Sequence, residues 1–143
     1  MKILIINGPN INLLGSREHS QYGNLTLKDI IKLIKNENKD IDFEFFQSNI
    51  EGEITNKIQN AQKNFDALII NPGGYAHTSV AIKDALELCR IIKIEVHLSH
   101  LAKREDYRQT LLTASNCDGY ISGFKENSYL AAVYLAKRLY NHK

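Results

Sequence analysis

Cysteine is scarce in this chain. Cys89 and Cys117 are the only two, they form no Cys-x-x-Cys pair, and both adjoin apolar runs. Buried free thiols in a reducing compartment are the simplest account, not a disulfide framework. No apolar run approaches the ~20 residues of a membrane span, and the first one, Ile3 to Ile6, is too short for a secretion signal and ends in a turn. A membrane partner is not expected, and the cytoplasm is the expected location. Net charge is only +2 over 143 residues, and the lysines and arginines are scattered along helices between apolar positions. A nucleic-acid binder would show a basic stripe instead. No repeat, linker or low-complexity segment divides the chain, so a single domain over residues 1–143 is expected. Several familiar site signatures are also missing: a Gly-x-Gly-x-x-Gly, a Walker-type Gly-Lys-Ser/Thr and a Gly-x-Ser-x-Gly elbow.

What is present alternates between two hydrophobic periods. Lys2–Asn7, with Ile3, Leu4, Ile5 and Ile6 unbroken, predicts a strand buried on both faces. Leu27, Ile30, Ile31 and Ile34 follow the helical i, i+3, i+4, i+7 spacing, and Thr26-x-x-Asp29 predicts a capping box before them. Strands are predicted over 41–47, 67–70, 92–97 and 119–122. Helices are predicted around Ile54, Ile58 and Ala61, over Ser79–Arg90, as a short piece over Arg104–Thr113, and over Asn127–Asn141 with Leu130, Val133 and Tyr134 inward. Strands alternating with helices require a parallel sheet with right-handed crossovers. Five strands predict a flavodoxin-like doubly wound α/β domain of order 2-1-3-4-5.

Strand ends carry the polar residues. The first is followed by Asn7, Asn10 and Asn12, the second by Gln47, Ser48 and Asn49, the third by Asn71 and His77, and the fourth carries Glu95, His97, Ser99 and His100. In a parallel sheet these ends share one edge, where open α/β sheets bind ligands. The stretch Asn71-Pro72-Gly73-Gly74-Tyr75-Ala76-His77-Thr78-Ser79 joins a strand to a helix starting at Thr78 or Ser79. Pro and paired Gly argue against regular structure there. Alone it reads as a capped turn; with the other clusters it reads as a polar site for a small ligand. Gly8–Asn24 is far longer than the ~2–6 residues of an ordinary strand-to-helix connection. It holds Arg17 and Tyr22 between Gly15 and Gly23, as a hinged lid would. His97 and His100 suggest metal ligands, but strand alternation would turn them to opposite faces, and no metal or other cofactor is expected.

Taken in order, Gly8-Pro9-Asn10-Ile11-Asn12-Leu13-Leu14-Gly15, Arg17-Glu18 with Tyr22-Gly23, Gln47-Ser48-Asn49-Ile50-Glu51-Gly52, the Asn71-to-Ile82 stretch with Asp84, Glu95-Val96-His97-Leu98-Ser99 with Arg104-Glu105 and Arg108, and Gly123-Phe124 resemble the type II 3-dehydroquinate dehydratases over nearly the whole chain. Four positions depart from that pattern. His19 replaces a proline of the lid, His100 an asparagine, Ala102 a histidine or glutamine, and Lys125 a glycine.

The resemblance implies reversible loss of water from 3-dehydroquinate, without metal or Schiff base. It implies Tyr22 as the base, and a phenol that ionises near ~10 needs cations beside it to serve at neutral pH. Arg17 is the candidate, with Arg108 assisting. It further implies His97 as the acid with Glu95 orienting its ring, Asn10 stabilising the enolate, backbone N–H groups of Leu98 and Ser99 on the carboxylate, and Asn71, His77 and Arg108 on ring hydroxyls. Asp84 would reach a neighbouring subunit's site in a dodecamer of four trimers. Two other readings stay open at this point. One is a non-catalytic module binding a phosphate or flavin at the same edge; the other is a metal hydrolase using His97 and His100.

Overall fold

A computed structural model describes residues 1–143. Five strands, β1 (Lys2–Asn7), β2 (Asp42–Gln47), β3 (Ala67–Asn71), β4 (Ile92–His97) and β5 (Gly119–Ser122), form one sheet of order β2-β1-β3-β4-β5. Every pairing is parallel. The unbroken apolar runs are explained by two cores, one on each face. Ile3 and Ile5 of β1 and Ala67 and Ile69 of β3 join Ile30, Ile34, Tyr129 and Val133 on one side. Leu4, Ile6, Leu68 and Ile70 join Ile54, Ile58, Ile82 and Leu86 on the other. Successive side chains alternate across the sheet, so a strand covered on both faces needs an apolar residue at every position.

The helices are α1 (His19–Tyr22), α2 (Leu27–Glu37), α3 (Glu51–Ala61), α4 (Val80–Leu88) and α5 (Asn127–Asn141). Helices α2 and α5 cover the first core, and α3 and α4 the second. The capping box of α2 forms as the sequence predicts: Asp29 N–H donates to Thr26 Oγ1 at 3.1 Å, and Thr26 N–H to Asp29 Oδ2 at 3.1 Å. Ser79 is the N-cap of α4, its Oγ accepting from Ile82 N–H at 3.0 Å.

Local structure departs from the sequence reading in four places. Gly73–His77 is a 3₁₀ turn, not an irregular reversal, and delivers His77 from its last position. The stretch expected as a helix over Arg104–Thr113 contains only a 3₁₀ turn at Asp106–Arg108, with others flanking at Leu101–Lys103 and Ala114–Asn116. Glu105 is extended there, Tyr107 is exposed, and the Gln109 amide takes the Leu101 carbonyl at 2.7 Å, so no apolar stripe drives a longer helix. In α5 the inward residues are Tyr129, Ala132, Val133 and Ala136, while Tyr134 is exposed and Leu130 only partly buried. Cys89 is buried as expected, but Cys117 is only partly so. The long first connection, Gly8–Asn24, holds a 3₁₀ turn at Ile11–Leu13 and the single-turn α1, which lies between Gly15 and Gly23 at φ +95° and +80°.

The loops after β1 and β3 cross closely. A Cβ at Gly8 would stand 2.4 Å from the Pro72 carbonyl oxygen, and one at Gly73, which has φ +60°, would stand 2.9 Å from the Pro9 carbonyl oxygen. Glycine at both positions lets the two backbones meet where the sheet order reverses, between β1 and β3.

Candidate active site

At that switch point the carboxyl ends of β1, β3 and β4 and the long first loop enclose a pocket. Asn10, Arg17, Tyr22, Asn71, His77, His97, Leu98, Ser99, Arg104 and Arg108 line it. Nine of these ten were anticipated from the sequence. Two anticipated residues lie elsewhere. Glu95 stands behind His97, fully buried, and Asp84 is exposed on α4, outside the pocket of its own chain.

The lid residues meet face to face. The Arg17 guanidinium carbon lies 3.8 Å from the Tyr22 ring centroid. A second guanidinium, that of Arg104, lies 5.3 Å from the same centroid. Arg104 is the residue that sequence reasoning passed over. Its side chain is 8% exposed, and its Nη1 donates to Ser99 Oγ at 2.9 Å. The available signal was its position four residues before Arg108, but spacing within a non-helical loop does not tell which way a side chain turns.

Opposite the lid, Glu95 and His97 stand two residues apart on β4 and therefore on one face. His97 Nε2 is 2.7 Å from Glu95 Oε1, and Thr113 Oγ1 donates to Glu95 Oε2 at 2.6 Å. Thr113 is a second residue missed from sequence. With both oxygens occupied, the carboxylate fixes the imidazole and leaves its Nδ1 edge free. The His77 ring stacks near that of His97, with centroids 6.2 Å apart, and its Nδ1 lies 2.8 Å from the Thr110 carbonyl. A carbonyl only accepts, so that nitrogen carries the proton and Nε2 is left as an acceptor. Burial, reinforced by the positive charge of Arg108 nearby, holds His77 below the ordinary imidazole range. His100 does not share this site. Strand β4 ends at His97, and the exposed His100 ring rests 3.2 Å from where a Gly123 Cβ would stand. No three His, Cys, Asp or Glu side chains are grouped so as to hold a metal ion.

Asn71 is 2% exposed and already engaged. Its Nδ2 donates to the Tyr129 hydroxyl at 3.0 Å, and its Oδ1 accepts from Gly73 N–H at 3.2 Å. The Tyr129 hydroxyl in turn donates to Asn7 Oδ1. The Gln47–Asn49 cluster acts as scaffold rather than lining: Asn10 N–H donates to Asn49 Oδ1 at 3.1 Å, and Gln47 Nε2 to the Gly8 carbonyl at 3.1 Å. No helix is long and apolar enough to cross a membrane.

Fold and pocket together define a flavodoxin-like α/β protein whose switch-point site carries three arginines, two histidines and a tyrosine, suited to a small polar anion rather than to a glycine-cradled phosphate. Comparison with known proteins narrows this class. The family model described as "Dehydroquinase class II" matches residues 1–137. A 3-dehydroquinate dehydratase of Clostridium perfringens is 51% identical over 96% of this chain and 97% of its own length. One from Fusobacterium nucleatum is 47% identical over 99% of both. The crystal structure of a type II dehydroquinase from Butyrivibrio crossotus superposes with a TM-score of 0.92 at 44% identity, covering 96% of this chain and 97% of that one. The chain belongs to the class II dehydroquinase family and is an enzyme of the hydro-lyase type.

Proposed function

We propose that this protein catalyses the reversible dehydration of 3-dehydroquinate to 3-dehydroshikimate in the cytoplasm, as a homo-oligomer built from trimers. The observation that carries the reading is the pairing across one pocket of a tyrosine under two guanidiniums with a histidine held by a buried carboxylate. The Tyr22 phenolate takes a proton from the carbon beside the ketone. The guanidiniums of Arg17 and Arg104 both lie against its ring. The resulting enolate is stabilised from Asn10. His97, held by Glu95, gives its proton to the hydroxyl that leaves from the next carbon as water, and the proton taken up by Tyr22 is returned to His97 through solvent to complete the cycle. The Leu98 and Ser99 backbone grips the carboxylate, and Asn71, His77 and Arg108 orient the ring hydroxyls. Asp84 completes the site of a neighbouring subunit.

Absorbance of the conjugated enone formed from 3-dehydroquinate tests the reading directly. Enone should appear, and it should still appear with chelator present or after borohydride treatment with substrate. Absence of enone, with a protein that stays folded, would overturn the assignment. Inactivation by chelator would instead favour a metal-dependent reaction.

A further inference from the structure

Glu105 is the one carboxylate placed between two arginines of the pocket. Arg108 Nε donates to Glu105 Oε2 at 2.8 Å, and Arg104 Nε lies 3.4 Å from the same oxygen. That Arg104 Nε is also the single buried polar side-chain atom without a hydrogen bond. Glu105 itself faces solvent, with 46% of its side chain exposed, so its two ion pairs add little to stability. Their effect is on direction. A guanidinium is a planar fork, so a carboxylate on its Nε side, hydrogen-bonded at Arg108 and in ion-pair reach at Arg104, leaves the Nη edge facing the opposite way. In Arg104 that edge reaches Ser99 Oγ on the pocket wall and the plane lies by the Tyr22 ring. In Arg108 the Nη groups make no side-chain hydrogen bond, and the guanidinium lies 5.4 Å from the centroid of the Tyr107 ring.

We propose that Glu105 is a positioning residue, whose single oxygen aims both arginines so that their donor edges face into the pocket that receives the anionic substrate. This rests on the dehydratase reading above and adds to it a residue that touches neither substrate nor reacting atoms. Its own backbone N–H, the Tyr107 hydroxyl and the two guanidiniums hold its carboxyl down at about 2, so the charge is present at any working pH.

Electrostatics alone predicts the opposite outcome, which makes the proposal testable. Removing a negative charge beside an anion site should tighten anion binding. Removing an aiming group should weaken it. The experiment compares the full-length parent, Glu105→Ala and Glu105→Asp, measuring KM for 3-dehydroquinate and, by calorimetric titration, the dissociation constant for inorganic sulfate. Glu105→Ala should raise both constants on the order of tenfold, as expected when reacting groups are misplaced by a fraction of an ångström. Glu105→Asp should lie between, because it keeps the charge with a shorter reach. A merely structural role would lower the active fraction, and so kcat, at unchanged KM and unchanged sulfate affinity. If the parent turns over, KM decides. If it does not, the dehydratase reading has failed and the sulfate constant decides by the same criterion. An unchanged or lowered constant for Glu105→Ala overturns the proposal.

Discussion

The Arg17 guanidinium carbon stands 3.8 Å from the centroid of the Tyr22 ring, and the two residues face each other within one loop. Both sit between Gly15 and Gly23, which hold left-handed backbone angles of +95° and +80°. The loop therefore carries the proposed base and its cation as a unit.

Tyr22→Phe keeps the ring under Arg17 and removes only the hydroxyl. It should lower kcat by about 10²–10⁴, the usual worth of general acid–base catalysis, with KM little changed. Arg17→Ala removes the guanidinium nearest the Tyr22 ring and should lower kcat. Arg104, the second cation on the ring, should leave part of the activity in place. Near-parental kcat in Tyr22→Phe would put the base elsewhere, with His77 the next residue to test.

His77 ties stability to pH. Burial lowers it from the ordinary 6.5, so the unfolded chain takes up its proton before the folded protein does. Its contribution is fully present above pH 6.5. It falls as pH drops from there through the lower folded value and does not return in stronger acid. Urea unfolding at pH 7.5 and pH 5 of the parent and of His77→Asn should show the parent's advantage shrinking in acid. A pH-independent difference between the two would contradict this.

Tyr129→Phe tests the support of Asn71. The change removes a buried hydroxyl that accepts from Asn71 Nδ2 and donates to Asn7 Oδ1. It leaves both amides short of a partner, at a cost of about 1–3 kcal/mol. Denaturation should show that loss, and KM should rise because Asn71 lines the pocket. A variant of parental stability and KM would mean that the Gly73 N–H alone holds Asn71.

Asp84 is exposed on α4 and faces no group of its own pocket. If it completes a neighbour's site, sedimentation should give a mass that is a multiple of three chains, and Asp84→Asn should raise KM. A fully active monomer would rule the shared site out.

Much of this molecule was legible from its sequence, for physical reasons. Ile3–Ile6 and Ala67–Ile70 are unbroken because two-faced burial needs an apolar residue at every strand position, so parallel strands and their order of covering helices follow from pattern. Thr26 and Asp29 announce the start of α2 because a capping box is local chemistry. Glu95 and His97 could be placed on one face because strand alternation is fixed. The family resemblance supplied most of the pocket lining. Tertiary structure decided what lacks a local period. Residues 101–116 fold as separate 3₁₀ turns, too short for a repeating signal, so nothing in the chain revealed that Arg104 turns inward over Tyr22 or that Glu105 bridges it to Arg108. The inward face of α5 belongs to Tyr129 rather than Tyr134 because the partner for a buried hydroxyl, the Asn7–Asn71 pair, comes from two strands more than 50 residues away in sequence. Side-chain direction in such places is set by what packs against it, and those neighbours meet only when the sheet is assembled.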